Sequence, residues 1–403
     1  MQNFIFRVDS SRQIGTGHVF RSLNLAEMLK KLCLNIQIIW ISKLHDGNLT
    51  NLVKSRHPEF TYIDLDIDSN HNINSDTSTW LGGSVESEVD IIVFNLIKLK
   101  IQRISAIIID HYAIDKKWEI SLRKSLDRSR IIISKMVVID DLVDRVHSCE
   151  ILTDQTYRSK NEKDIYHKKQ VVQDSTKCLI GCEYVLLNSK FYETRNKKIK
   201  IQNECNKSKL KVNYKNKVNK VNKNKKINVN ISFGGSDIYN LTKNVVSTLL
   251  PIFKNSEQFR FSILLGGLYK ITDKMELQEI LSDVYNFRIM QNLNFDEICD
   301  LLLDTDVCIG AGGVSLYERC CLGIPSIIIN LADNQLYNAI NLNKVGAIMY
   351  IGNFTNWDKL KLIDLLNEFG KDSKSLQKMS DICLKLVDGK GCERVAKEIL
   401  FND

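Results

Sequence analysis

The sequence predicts an α/β protein of two doubly wound domains. Short apolar runs recur along both halves of the chain, each followed by a turn and a stretch of helical periodicity, the pattern of strands alternating with helices. Each half also opens on the same unit, a strand, a glycine-rich turn and a helix, at Gly15-Thr16-Gly17 and again at Gly234-Gly235. Between them, 196–226 is rich in lysine and asparagine and lacks apolar periodicity, which marks a flexible linker. The expected domains are therefore 1–195 and 227–403, joined by 196–226.

Composition fits this reading. The chain has 403 residues, 44% of them hydrophobic and 26% charged, as in an ordinary globular protein with more than one core. Its formal charge of +8 is local: 196–226 carries twelve lysines against one acid, Glu204, so the rest of the chain is slightly acidic. That distribution argues against nucleic acid as a partner. No apolar run reaches the roughly 18 residues of a membrane span, and the N-terminus enters a strand without a signal-peptide pattern. We expect a cytoplasmic monomer without a membrane partner. The eleven cysteines are odd in number and mostly embedded in apolar runs, as reduced buried thiols are. Cys178 and Cys182 lack a second Cys/His pair at zinc-site distance, so no metal is expected.

In the first half, Asn3 to Val8 reads as a strand and Val19 to Leu29 as a helix, with Leu23, Leu25, Ala26 and Leu29 at near-helical spacing. The turn at Gly15 and Gly17 aims unpaired helix N–H groups at a candidate anion site. His18 stands at that helix start, where the dipole disfavours imidazolium. It is a candidate general base, with Asp9 a candidate to orient its other nitrogen. The other reading makes His18 a capping or partly buried histidine. Ile36 to Ile41 is a strand, His45 to Ser84 a loosely ordered polar insertion, and Val89 to Lys100 a helix. Ala106 to Ile109 is a strand ending in Asp110-His111-Tyr112, which the carboxyl-end rule for open sheets places near the opening loop. Met136 to Ile139 leads into Asp140-Asp141, a turn cap or a metal pair.

In the second half, Asn228 to Phe233 leads into Gly234-Gly235-Ser236-Asp237, where the glycines admit a ligand to the backbone and Ser236 offers a hydroxyl and an N–H. Val307 to Gly310 leads into Gly312-Gly313-Val314-Ser315 and a helix carrying Glu318. A carboxylate so placed can accept two ribose hydroxyls, or can simply offset the helix dipole. Pro325, one of three prolines, ends that helix, and Ser326 to Ile329 leads into Asn334 and Gln335. Three helices close the chain, at about 357–369, 375–387 and 392–400.

Four stretches in this order, RVDSSRQIGTGHVFRSLNLAEML, IIIDHY, ISFGGSD and GAGGVSLYERCCLGIPSIIINLADNQ, resemble the PseG-type UDP-sugar hydrolases of pseudaminic-acid biosynthesis. These belong to a wider SpsG-like group of nucleotide-sugar enzymes. IDDLVDR and CLIGCEYVLLNSKF are similar to the same family, so the resemblance covers roughly 1–42, 84–195 and 227–400. It implies a GT-B-like fold, two Rossmann-like domains facing across a cleft. It also implies hydrolysis of UDP-2,4-diacetamido-2,4,6-trideoxy-β-L-altropyranose to UDP and free sugar, without cofactor or metal. On this resemblance the base falls on His18. The UDP and substrate contacts fall on the loops at Gly15 and Gly17, Gly234 to Asp237 and Gly312-Gly313, and on Arg21, Ser315, Glu318, Tyr112, Asn334 and Gln335. UDP is already a stable leaving anion, so one neutral base and a set of N–H dipoles suffice where a glycosidase needs two carboxyl groups. The alternative is an inverting glycosyltransferase in which His18 deprotonates an acceptor hydroxyl. The segments 45–84 and 196–226 lengthen the chain beyond the family core.

Overall fold

A computed structural model describes residues 2–66, 74, 76–213, 226–235, 237–267 and 269–401. The chain forms two compact units, residues 1–188 with 390–403, and residues 189–389.

The first unit runs β1 (Gln2–Val8), α1 (Gly17–Leu32), β2 (Ile36–Lys43), α2 (Thr50–Arg56), β3 (Thr61–Leu65), α3 (Val85–Lys98), β4 (Arg103–Asp110), α4 (Lys116–Arg128), β5 (Ile132–Ile139), β6 (Ile151–Asp154), α5 (Ile165–Lys168) and β7 (Lys177–Ile180). Its seven strands are ordered β3-β2-β1-β4-β5-β6-β7, all parallel. A parallel sheet covered on both faces needs apolar side chains on both, and the strands supply them by alternation. Ile107 and Ile109 of β4 join one cluster with Ile39, Trp118 and Leu122, while Ala106 and Ile108 join the other with Phe4, Phe6, Trp40, Leu25 and Leu29.

The second unit runs α6 (Ser189–Asn213), β8 (Ile227–Ser232), α7 (Leu241–Asn255), β9 (Phe259–Leu265), α8 (Ile271–Ile280), β10 (Phe287–Gln291), α9 (Phe295–Leu303), β11 (Val307–Gly310), α10 (Val314–Cys321), β12 (Ser326–Asn330), α11 (Leu336–Lys344), β13 (Ile348–Asn353), α12 (Lys359–Lys371) and α13 (Ser373–Leu386). Its sheet is β10-β9-β8-β11-β12-β13, again all parallel. Ile231, Phe261, Ile263, Ile309, Ile327 and Leu366 sit in its core.

The expected fold class, two Rossmann-like α/β domains, is what the chain adopts. Three details differ from expectation. The last helix, α14 (Gly391–Phe401), belongs to the first unit, where Cys392, Val395, Ala396 and Ile399 share the apolar cluster of Leu25 and Leu29. The stretch read as a loose insertion supplies α2, the edge strand β3 and a 3₁₀ turn at Thr77–Leu81, with 67–73 and 75 outside the described residues. Part of the supposed linker is helical, since α6 continues to Asn213 before 214–225, which also lie outside the described residues. Lysine is a good helix former, and a solvated helix requires no apolar stripe along its length.

Candidate functional site

In each sheet the strand order reverses direction once, between β1 and β4 and between β8 and β11. In open parallel sheets the carboxyl ends at such a switch point form the ligand crevice. Both glycine-turn units open on those ends.

In the first unit, residues 9–16 form a braced loop. Ser11 Oγ accepts from Gln13 N and Ile14 N, and Gly15 N donates to Ser11 O at 2.9 Å. Thr16, the N-cap of α1, makes no side-chain cap and the first turn carries no acid, so the helix start keeps its positive end uncompensated. Gly17 and His18 are its first two residues. The His18 ring is 6% exposed, with its Nδ1 2.6 Å from Asp110 Oδ1. An ionised carboxylate there fixes the proton on Nδ1 and leaves Nε2 as the basic atom. Arg21 donates through Nε to Asp110 Oδ2 at 2.7 Å, through Nη2 to Oδ1 at 2.6 Å and through Nη1 to Asp141 Oδ2 at 3.0 Å. Ser22 Oγ donates to Asp110 Oδ2 as well. Burial works against the Asp110 carboxylate, but the Arg21 guanidinium and His18 outweigh it and hold this carboxyl well below its usual range.

Tyr112 packs edge-on against the His18 ring at 4.5 Å and donates its hydroxyl to Asp141 Oδ1 at 2.5 Å. Trp80 stacks on Tyr112 at 5.7 Å and meets His18 edge-on at 6.4 Å. An imidazole held by one carboxylate and walled by two aromatic rings can take a proton from a neighbouring hydroxyl or water.

Two assignments made from the sequence are corrected here. Asp9 does not orient His18. Its carboxylate accepts from Arg7 Nη1 at 2.5 Å, from Lys43 N at 2.7 Å and from His111 Nε2 at 3.0 Å, with His45 Nε2 at 3.3 Å. With Glu88, which takes Arg7 Nε and Trp118 Nε1, it closes a buried ionic cluster beneath the loop. Arg21 is likewise not a free anion ligand, because Asp110 and Asp141 absorb its donors in a buried position. The turn-cap reading of Asp140-Asp141 holds for Asp140, whose Oδ2 accepts from Val143 N at 3.1 Å and which also takes Arg145 and Tyr166, while Asp141 anchors Arg21 and Tyr112. No cluster of potential metal ligands occurs among the described residues.

In the second unit, Gly234 holds φ +88° with open space where a side chain would stand, and Gly235 follows in the same turn. Ser236 lies outside the described residues. Asp237 is corrected too: its two oxygens accept from Leu241 N at 2.9 Å and Thr242 N at 2.8 Å, so its carboxylate is committed to the start of α7. Gly313 is the N-cap of α10, without a side-chain cap and with no acid in the first turn, and Ser315 is the second helical residue. A Cβ on Gly312 would lie 2.7 Å from Asn330 Oδ1 and 3.6 Å from Gln335 Cβ, which explains a glycine there. Gln335 Oε1 accepts from Leu331 N, and Asn334 is exposed beside it in a 3₁₀ turn. Glu318 is half-buried, and its carboxylate has no hydrogen bond or ion pair among the described residues. Burial raises it to about 7 against the pull of Arg319.

The structure thus joins His18, Arg21 and Tyr112 in one cluster, and Gly312, Gly313 and Gln335 in another. Sequence reasoning missed the roles of Asp110 and Asp141 and missed Trp80. The first two are signalled only by standing at the ends of buried strands, and Trp80 by nothing local.

Residues 231–390 match the glycosyltransferase family 28 C-terminal domain. An uncharacterized protein of Methanocaldococcus jannaschii is 24% identical over 327 residues, covering 80% of this chain and 54% of that protein, so the chain spans about half of that relative's length. The spore coat polysaccharide biosynthesis protein SpsG of Bacillus subtilis is 21% identical over 408 residues, covering 96% and 94%. Among solved structures, the UDP-GlcNAc 2-epimerase of Neisseria meningitidis bound to UDP-GlcNAc superposes with a TM-score of 0.60 over the full length of both chains at 13% identity, which shows a shared fold.

Proposed function

We propose that this chain is a nucleotide-sugar enzyme that hydrolyses a UDP-linked 2,4-diacetamido-2,4,6-trideoxy sugar to UDP and the free sugar. The observation that carries the reading is the His18–Asp110 pair at the uncapped start of α1, inside the motif that resembles the hydrolases. The match of 231–390 to a glycosyltransferase C-terminal domain and the similarity to SpsG support nucleotide-sugar chemistry in polysaccharide biosynthesis.

In this reading the second unit takes UDP and the first supplies the base. The Gly234 and Gly312-Gly313 turns receive the diphosphate, Ser315 and Gln335 line its surroundings, and Glu318 accepts the ribose hydroxyls. A water oxygen attacks the anomeric carbon opposite UDP and its proton passes to His18 Nε2. The anomeric C–O bond breaks with its electron pair leaving on UDP, and configuration inverts. Asp110 stabilises the imidazolium so formed, as a carboxylate behind a catalytic histidine does. The resemblance assigns Tyr112 and Asn334 to the sugar. The family 28 match favours a second reading, transfer to an acceptor hydroxyl by the same base.

Incubation with UDP-2,4-diacetamido sugars in the absence of acceptor, followed by NMR of the products, separates them. Release of UDP and free sugar at enzymatic rates is the expected result, and an intact donor with no release contradicts hydrolysis.

A further inference from the structure

Four arginines are buried among the described residues: Arg7, Arg21, Arg158 and Arg319. Three are matched by carboxylates, Arg7 by Asp9 and Glu88, Arg21 by Asp110 and Asp141, and Arg158 by Asp154. Arg319 is not. It is 2% exposed and has no carboxylate within ion-pair distance among the described residues, even though Glu318 precedes it in the chain.

Helical side chains lean toward the N-terminus, and from the sixth residue of α10 this carries the guanidinium back under the loop after β11. Nη2 donates to Ala311 O at 2.6 Å, Nη1 lies 3.4 Å from Cys308 Sγ, and a Cβ on Gly310 would come within 2.6 Å of Nη1. The buried Nε has no partner. A second unfilled group stands at the same loop. Asn330 is 1% exposed, both atoms of its amide lack a partner, and its Oδ1 lies against Gly312. A buried charge without a counter-charge is costly, and here it lies behind a turn whose helix N-terminus carries no acid and no side-chain cap.

We infer that Arg319 is a positioning residue that supplies the fixed positive charge of an anion site at the Gly312-Gly313 turn, and that its missing counter-charge is the diphosphate of the bound nucleotide. This rests on the nucleotide reading above. Arg319 acts through the Ala311 carbonyl and through space, without touching the ligand, so its contribution scales with ligand charge. A purely structural brace would affect every ligand alike.

Calorimetric titration at pH 8 of the native chain and of Arg319→Gln with uridine, UMP, UDP and inorganic pyrophosphate tests this. Because Arg319 also favours the Glu318 carboxylate, a loss common to all three ribose ligands is expected in the variant, and on top of it an extra loss that is small for UMP and roughly tenfold for UDP relative to uridine. Equal losses for all three, or no loss for any, would overturn the inference. Where Arg319→Gln fails to fold by circular dichroism, Arg319→Lys carries the test. A kept preference for UDP over uridine supports the role of charge, and a preference that collapses despite the retained charge overturns it. Pyrophosphate separates the two claims. A native chain that binds pyrophosphate through Arg319 but no uridine compound refutes the nucleotide reading and leaves the anion site standing.

Discussion

Two aspartates lie near His18 in different senses, Asp9 in the sequence and Asp110, 92 residues away, in the fold. The strand, turn and helix around His18 were legible because glycine spacing and apolar periodicity are local signals. Its partner was not, because Asp110 reaches the first turn of α1 from the end of β4, and which strand lies beside β1 is not a local signal. The end of β1 supplies both Arg7 and Asp9, and they satisfy each other in a buried ionic cluster before Asp9 can reach the histidine. Glu318 shows the opposite case, a carboxylate that the fold leaves without a hydrogen bond or ion pair among the described residues, whose pH behaviour follows from burial. Folding lifts its carboxyl from 4.5 to about 7, so the folded chain favours the protonated form. This contribution to stability is complete below the unfolded value and is lost as pH rises through about 7. Accepting ribose hydroxyls requires the opposite form, the carboxylate. Uridine carries no titrating phosphate, and its affinity should therefore fall below about pH 7, by up to about tenfold per unit, and level off above it. Glu318→Gln should abolish the dependence, and a native affinity flat from pH 5.5 to 8.5 would remove Glu318 from the ribose.

Among the elements, β1, β4, β8 and β11 were readable as apolar runs because central parallel strands are buried on both faces. β3 escaped notice because an edge strand of five residues, with Asp64 exposed, carries too little pattern. α14 was visible as a helix, but nothing local says which core it serves. Its buried face completes the cluster around Leu25 and Leu29, the same α1 whose first turn carries His18. Ile399→Ala should cost the first unit about 2–5 kcal/mol by opening a cavity there. Chemical denaturation followed by fluorescence of Trp40 and Trp118, buried in that unit, should show the shift. An unchanged midpoint would mean that α14 is dispensable to this core.

At the scale of the whole molecule, the chain repeats one device, a glycine turn between a buried strand and a helix at a topological switch point, with different chemistry in each unit. The first unit surrounds its turn with a histidine, carboxylates and aromatic rings. The second surrounds its turn with a helix start lacking a side-chain cap, the unpartnered amide of Asn330 and an unmatched guanidinium. That division was partly legible, since the histidine and the glycine pairs are in the sequence, but the pairing that leaves Arg319 unmatched emerges only once the other buried arginines are seen with their carboxylates. In the proposed reading one unit binds the nucleotide and the other performs the proton transfer, so damage to each should separate cleanly in kinetics. The most direct measurement is turnover of the UDP-diacetamido sugar by His18→Ala alongside its affinity for UDP. The account predicts a fall in kcat on the order of 100- to 10,000-fold with UDP affinity essentially unchanged. Near-native turnover, or a loss confined to UDP binding, would contradict it.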